Sequence, residues 1–310
     1  LSIAEIITKQ AKPFLKWAGG KSQLLSQFEA LYPIDLKQGN IKRYIEPFVG
    51  GGAVFFDIAQ KYSISSAFLY DVNSELIIAY RVIQKEPEKL IEQLDDISQK
   101  YKSLIETKRK VFYYELREKY NLQRLNINYT KYSDDWISRA VMLIFLNRTC
   151  FNGLFRFNSK GEFNVPHGRY KNPKILDEEN LKNVSQLLQI TEIINCDFEA
   201  CKDVITPESF IYFDPPYRPI SKTANFTSYS KLSFDDFQQN RLAKFFRELH
   251  KNHDVKMMLS NSDPKNENPT DNFFEDLYQG FNIHRVSANR MINSDTQKRG
   301  HIDELVITNY

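Results

Sequence analysis

The chain has 310 residues, with 42 Lys and Arg against 39 Asp and Glu, so its net charge is only +3. Its 42% apolar content can fill a large core, while no apolar run approaches the roughly 18–20 residues of a membrane span, which argues against a membrane protein. Three cysteines, Cys150, Cys196 and Cys201, are odd in number and lack CxxC spacing, which speaks against a disulfide framework or a zinc site and fits a reducing cytoplasm.

The first stretch, "LSIAEIITKQAK", carries Glu5 and lacks both a long apolar core and a small-residue cleavage site, so it does not read as a signal peptide. "FLKWAGGKSQ" follows at residues 14–23 and ends like a phosphate-binding loop. Such a loop needs a glycine five positions before Gly20; Leu15 stands there, and no hydrophobic strand precedes it. The plain alternative is a turn leading into a helix over 22–31. A third is a loop whose Trp17 and Lys21 face a cofactor. "RYIEPFVGGGAVFFDIAQ" then reads as a strand, a glycine turn at Gly50–Gly52 and a helix. That arrangement brings backbone N–H groups close to a ligand, although the full G-x-G-x-x-G pattern is missing. "SSAFLYDVN" is a buried strand ending in Asp71, about twenty residues on, where an acid accepts hydrogen bonds from ribose hydroxyls.

From Ser74 to about Tyr120 the sequence looks helical, with Lys and Glu on exposed faces and apolar residues between them, and "WISRAVMLIFL" at 136–146 reads as another helix. Residues 147–174 are irregular and rich in Asn, Gly, aromatic and basic residues. Strands return in "ITEIINCDF" and in "SFIYFDPPY", which two prolines terminate. A helix is expected over 234–250, a strand in "DVKMMLSNS", and a closing pair in "FNIHRVSAN" and "IDELVITNY". Alternating strands and helices predict a mostly parallel α/β sheet, with the last two strands as an antiparallel pair at its edge.

Asp214-Pro215-Pro216-Tyr217 is the most specific stretch. A carboxylate at the carboxyl end of a buried strand stands where α/β proteins place their sites. Asp214 and the Pro215 carbonyl can accept the hydrogens of an exocyclic amine while the Tyr217 ring stacks on its base. The plain alternative is an ordinary strand-terminating turn.

Together, "PFLKWAGGK", "YIEPFVGGGAVFF", "DVN", "FNGLFRFNSKGEFNVPHGRYKNP", "CDF" and "FDPPY", in this order, resemble a DNA adenine-N6 methyltransferase of the Dam-like, alpha-ordered class. The resemblance runs from about Lys12 to the end. It implies an α/β fold: a seven-stranded, Rossmann-like S-adenosyl-L-methionine-dependent methyltransferase sheet over 1–75 and 177–310, with an inserted, mostly helical DNA target-recognition domain over 76–176. It implies that Trp17, Lys21, Phe48, Gly50, Asp71, Asp197, Phe198 and Asp214 bind the cofactor, and that Asp214, Pro215 and Tyr217 are catalytic. No metal is expected.

The block 147–174 holds Arg148, Arg156, Lys160, Arg169, Lys171 and Lys174 against Glu162 alone, so positive charge is concentrated there. Such a cluster is the electrostatic footprint of nucleic-acid binding, and the interleaved aromatics are read mainly as packing. The resemblance assigns Arg156 to a guanine edge, Leu154 and Pro166 to a thymine methyl, and Asn152, Lys160 and Arg169 to further DNA contacts, with GATC in double-stranded DNA as the expected target. Phe226 and Tyr229 are candidates to fill the gap left by a flipped base, or to anchor their loop. Cytosine N4 and RNA adenine remain as rival substrates, and a catalytically silent DNA-binding protein and an NTPase as rival classes. A monomer in the cytoplasm is expected, with a cognate restriction endonuclease as the further partner that this class allows.

Overall fold

The structure is a computed structural model, and it describes residues 10–17, 19–218, 234–289 and 301–310. Phe226 and Tyr229 lie outside the described residues.

Seven strands form one mixed sheet: β1 (Arg43–Glu46), β2 (Ser66–Tyr70), β3 (Thr191–Ile194), β4 (Ser209–Phe213), β5 (Lys256–Ser262), β6 (Asn282–Asn289) and β7 (His301–Thr308). Their order is β3-β2-β1-β4-β5-β7-β6. The first five run parallel; β7 lies antiparallel between β5 and β6. The expected antiparallel pair at the edge is therefore present, and β7 sits one place inside it. Strands buried on both faces read as continuous apolar runs, and all five residues of β4, "SFIYF", are buried. Alternate residues feed two cores. Tyr44, Phe210, Tyr212, Met258 and Val306 pack on one face; Ile45, Ile211, Phe213, Leu259 and Leu305 pack on the other.

On the first face lie α1 (Leu25–Leu31), α3 (Ala53–Lys61), α4 (Ser74–Lys85), α5 (Pro87–Ser103), α6 (Glu106–Gln123), α7 (Asp135–Thr149) and α8 (Glu178–Leu188). The second face is covered by α9 (Asp236–Asn252) and α10 (Phe273–Leu277). A single turn, α2 (Ile34–Lys37), precedes β1. Helix α7 is buried along nearly its whole length and touches α4, α5 and α6, which makes it the axis of the helical layer.

The stretch expected to be helical over 74–120 is helical, divided into the three helices α4, α5 and α6. Pro87 has no N–H to continue α4 and instead opens α5 at its first position, where that N–H would be unbonded anyway. The chain breaks again at Leu104–Ile105, and Arg109 of α6 reaches back to donate to the carbonyls of Tyr101 and Lys102 at 3.0 and 2.7 Å. These bonds satisfy two of the last carbonyls of α5.

Helix α4 starts directly after the "DVN" stretch. The Asn73 side chain accepts from the N–H groups of Glu75 and Leu76 at 3.1 and 3.3 Å. Asn73→Ala is expected to lower stability by about 1 kcal/mol, the ordinary cost of a lost N-cap, read as a lower denaturant midpoint at unchanged slope. An unchanged midpoint would show that water replaces the cap without loss.

Sheet order reverses between β1 and β4, which opens a crevice at their carboxyl ends, the usual ligand position in such sheets. Phe48 and Gly50 follow β1, Asp71 follows β2, Asp197 follows β3 and Asp214 follows β4. Residues far apart in sequence are thus delivered to one rim.

Candidate active site and nucleic-acid interface

Asp214 begins where β4 stops, and Pro215 and Pro216 prevent the ladder from continuing. Its Oδ1 receives two bonds, from Lys21 Nζ at 2.8 Å and from Ser260 Oγ on β5 at 3.1 Å. Ser260 is held in turn by the buried Tyr212 hydroxyl at 2.7 Å. The Asp214 side chain keeps 21% of its exposure while that of Lys21 keeps 4%, so the carboxylate looks outward over a buried cation. Burial raises the Asp214 pKa, and Lys21 and Ser260 oppose that rise.

Lys21 is the hub of this corner. It begins a short 3-10 turn, Lys21–Gln23, bonds the Gly19 carbonyl at 2.7 Å and lies 4.5 Å from the centre of the Tyr217 ring. The motif "GGKS" therefore does not end a phosphate loop; it brings an ammonium onto the Asp214 carboxylate. Two further carboxyls share its field. Glu46, at the end of β1, is buried, accepts from Tyr44 OH at 2.9 Å and has a pKa held well above the usual range by burial. Glu304 on β7 accepts from the Tyr217 hydroxyl, and its pKa is likewise raised by burial and lowered by Lys21.

The second corner forms around the glycine turn. Asp71 accepts from Gly50 N at 3.1 Å and Asn73 N at 2.8 Å, and burial pushes its carboxyl up to about 6. Gly50 has φ +46°, and a Cβ there would stand 2.8 Å from Trp17 Nε1, so only glycine lets the turn pass beneath the indole. Phe48 and Phe198 face each other with ring centres 5.4 Å apart. Arg241 grips both oxygens of Asp197 at 2.5 and 3.1 Å and lies over the Phe198 ring.

The basic block is built around two short antiparallel pairings, Cys150 with His167 and Phe157 with Phe163. Phe155 and Phe163 are buried and hold it to the first core, whereas Phe151 is half exposed. Packing thus claims most, not all, of its aromatics. Asn152, Lys160, Pro166 and Arg169 are exposed; Leu154 and Arg156 are half-buried. Arg156 donates through Nε to Asn164 Oδ1 at 2.9 Å, and among the described residues its two terminal amino groups make no hydrogen bond.

One segment joins all these parts. Asn147, at the buried end of α7, accepts from Lys16 N at 2.8 Å and donates to the carbonyls of Lys16 and Gly153 at 3.0 and 3.1 Å. Arg148 donates to the Phe14 carbonyl at 2.7 Å, and Trp17 meets Phe155 at 4.9 Å. A Cβ on Gly153 would lie 2.2 Å from Lys16 Cδ, so the close approach requires glycine. Phe14, Lys16, Trp17 and Lys21 thus lie between the basic block on one side and Gly50 and Asp214 on the other.

A family profile, D12 class N6 adenine-specific DNA methyltransferase, matches residues 17–292. The chain belongs to this family. It is 52% identical to the type II methyltransferase M.MjaIII of Methanocaldococcus jannaschii, over 97% of this chain and all of that relative. It is 40% identical to the type II methyltransferase M1.LlaDCHI of Lactococcus lactis subsp. cremoris, over 96% of this chain and 95% of the relative. It is 34% identical to the DNA adenine methylase of Escherichia coli K12, again over 96% and 95%. As an adenine-specific DNA methyltransferase it is neither an NTPase nor a silent DNA-binding protein, and the cytosine and RNA readings fall away. The sheet order fits this fold. Among the described residues no helix is long and apolar enough to cross a membrane.

Sequence reasoning passed over Glu46, Asn147, Asn164, Ser260 and Glu304. Glu46 lies inside a quoted motif, and its place after an apolar strand was a usable signal. The others act through partners that become neighbours only once strand order and hairpin register are fixed.

Proposed function

We propose that the chain transfers a methyl group from S-adenosyl-L-methionine to N6 of adenine in duplex DNA, with GATC as its target. The observation that carries this is the outward-facing Asp214 carboxylate, braced by Lys21 and Ser260 beside the Tyr217 ring at the carboxyl end of β4.

The residues present suit the cofactor. The Asp71 carboxylate receives only backbone N–H groups among the described residues, and beside a glycine turn it suits a ribose diol. Phe48 and Phe198 offer ring faces to an adenine, Trp17 closes over Gly50, and Asp214 and Lys21 supply both signs of charge for an amino-acid end. Asp197, tied to Arg241, acts on that pocket by holding the turn that carries Phe198. When bound, S-adenosyl-L-methionine would supply a methyl group on positively charged sulfur: the N6 lone pair would take the methyl carbon as its bond to sulfur breaks, the neutral thioether would leave, N6 would release one of its two hydrogens as a proton, and no covalent intermediate on the enzyme would be needed. The target adenine must leave the base stack to reach the rim. Tyr217 stacks on the extruded ring, while Asp214 and the Pro215 carbonyl hold the N6 hydrogens and so fix the direction of its lone pair.

The region 76–176 acts as target-recognition domain, with 1–75 and 177–310 as the catalytic domain. Arg156 reads guanine O6 and N7, Leu154 and Pro166 meet the thymine methyl, and Asn152, Lys160 and Arg169 fix the duplex. We take the chain to act as a monomer in the cytoplasm, and the type II relatives make a cognate restriction endonuclease the natural further partner.

Incubation with labelled S-adenosyl-L-methionine and plasmid, followed by a methyl-sensitive GATC nuclease, tests the whole reading. Label and protection together are expected. Label without protection removes GATC; no label removes the methyl donor.

The raised Asp71 carboxyl gives a second expectation. Ribose hydroxyls donate to its ionised form, so cofactor affinity should hold at pH 8 and weaken as pH falls through about 6. Calorimetric titration from pH 8 to 5 checks this, and a flat profile removes Asp71 from the ribose site.

A further inference from the structure

Tyr217 has to present a flat face in one place, yet it stands on a turn at the sheet's rim. Its near end is fixed by Pro215 and Pro216, whose rings restrict the backbone. Its far end is fixed by something the motif does not contain. The phenol donates to Glu304 Oε2, 87 residues further along the chain.

Glu304 is well suited to be that anchor. It lies on β7, which pairs on both sides, opposite Ser262 of β5 and Val286 of β6. A strand paired on both edges cannot yield as a loop would. In the sheet order β5 separates β4 from β7, so the phenol reaches over the end of β5 to find its acceptor. A hydroxyl lies on the long axis of its ring, so this bond fixes where the ring points but not its rotation about that axis. The Lys21 ammonium, 4.5 Å from the ring centre, biases that remaining rotation. Position comes from Glu304 and plane from Lys21, and the same lysine braces Asp214 at 2.8 Å.

We propose that Glu304 is a positioning residue for methyl transfer: it holds the Tyr217 ring where the extruded adenine stacks, and touches neither substrate itself. This rests on the adenine-stacking role of Tyr217 given above. The acceptor matters, not the charge, so an amide oxygen can serve in its place.

The experiment is single-turnover transfer on duplex DNA containing the target site, with 2-aminopurine at the target adenine in a parallel fluorescence assay. Glu304→Ala is expected to slow transfer by roughly 10- to 100-fold, the scale of a small misplacement of a reacting group, with S-adenosyl-L-methionine affinity unchanged. Glu304→Gln is expected to restore most of the rate. Tyr217→Phe, which removes only the hydroxyl, should slow transfer as Glu304→Ala does, and the double variant should be no slower than either alone. The 2-aminopurine signal should show extrusion without a settled stacked state in Glu304→Ala. A wild-type rate in Glu304→Ala, or multiplying losses in the double variant, overturns the proposal while the methyltransferase reading stands. A loss in Glu304→Gln equal to that in Glu304→Ala overturns it too, because charge would then be the requirement. A wild-type protein that transfers no methyl group overturns both readings. If Glu304→Ala does not fold, Tyr217→Phe against Glu304→Gln decides: a slow Tyr217→Phe with a near-normal Glu304→Gln supports the anchor, and a normal Tyr217→Phe removes it.

Discussion

Asp214→Ala should abolish methyl transfer, by at least roughly a thousandfold, while duplex binding persists. The carboxylate at the β4 rim keeps 21% of its exposure and is braced from behind by Lys21 and Ser260. Its Oδ1 is taken by Lys21 and Ser260, which leaves Oδ2 for the amine hydrogen of the target base. The contrast with Asp214→Asn sharpens the expectation. Two donors converge on Oδ1, so an asparagine there places its carbonyl oxygen toward them and its NH2 toward the N6 amine, donor against donor. Asparagine should therefore fail nearly as badly as alanine, although it matches aspartate in shape. DNA binding should survive in both variants, because the basic block is built from α7 and the hairpin beyond it rather than from β4. Measured single-turnover rates and gel-shift affinities separate the two functions. An Asp214→Asn enzyme at wild-type speed would show that the amine is held by Pro215 alone.

The rim of the sheet was the part most legible in the sequence, for a physical reason. Parallel strands covered on both faces read as apolar runs, and three of them here, β1, β2 and β4, end just before Pro47, Asp71 and Asp214, which break the apolar pattern. Strand ends and site residues therefore coincide in the text of the chain. Within the helical stretch, Pro87 marks the start of α5, because proline is tolerated at the first helical position and not inside a helix. What could not be read was any contact that depends on strand order. Glu304 becomes a neighbour of Tyr217 only because β7 inserts between β5 and β6, and Asn164 becomes one of Arg156 only through the hairpin register. Lys21 shows the middle case. Its motif marked it as important, and the resemblance pointed to the cofactor, while the structure sets its ammonium on the Asp214 carboxylate.

That placement carries the second large expectation. Lys21→Met keeps the length of the side chain and removes its charge from among Asp214, Glu304 and Glu46. Burial raises the pKa of all three, and the lysine lowers each of them. Without it they rise further, so Asp214 keeps its proton to a higher pH than in the wild type, and a protonated Asp214 presents a donor where the amine needs an acceptor. Transfer at pH 7 should fall by roughly a hundredfold, with the rising limb of the pH–rate profile moved to higher pH, so that part of the loss is recovered under alkaline conditions. Stability should move the other way. A carboxyl whose folded pKa lies above its unfolded value contributes stability below the unfolded pKa and loses it as pH rises through the folded one. The variant should thus approach wild-type stability in acid and fall furthest behind at high pH. The deficit belongs near the low end of the ~3–5 kcal/mol typical of a broken buried ion pair, because Asp214 retains 21% of its exposure. Activity that improves with pH while stability worsens is a pairing that simple misfolding does not produce. Rate profiles and denaturant midpoints taken across one pH series would test it, and a rate profile superimposable on the wild type would remove Lys21 from control of Asp214.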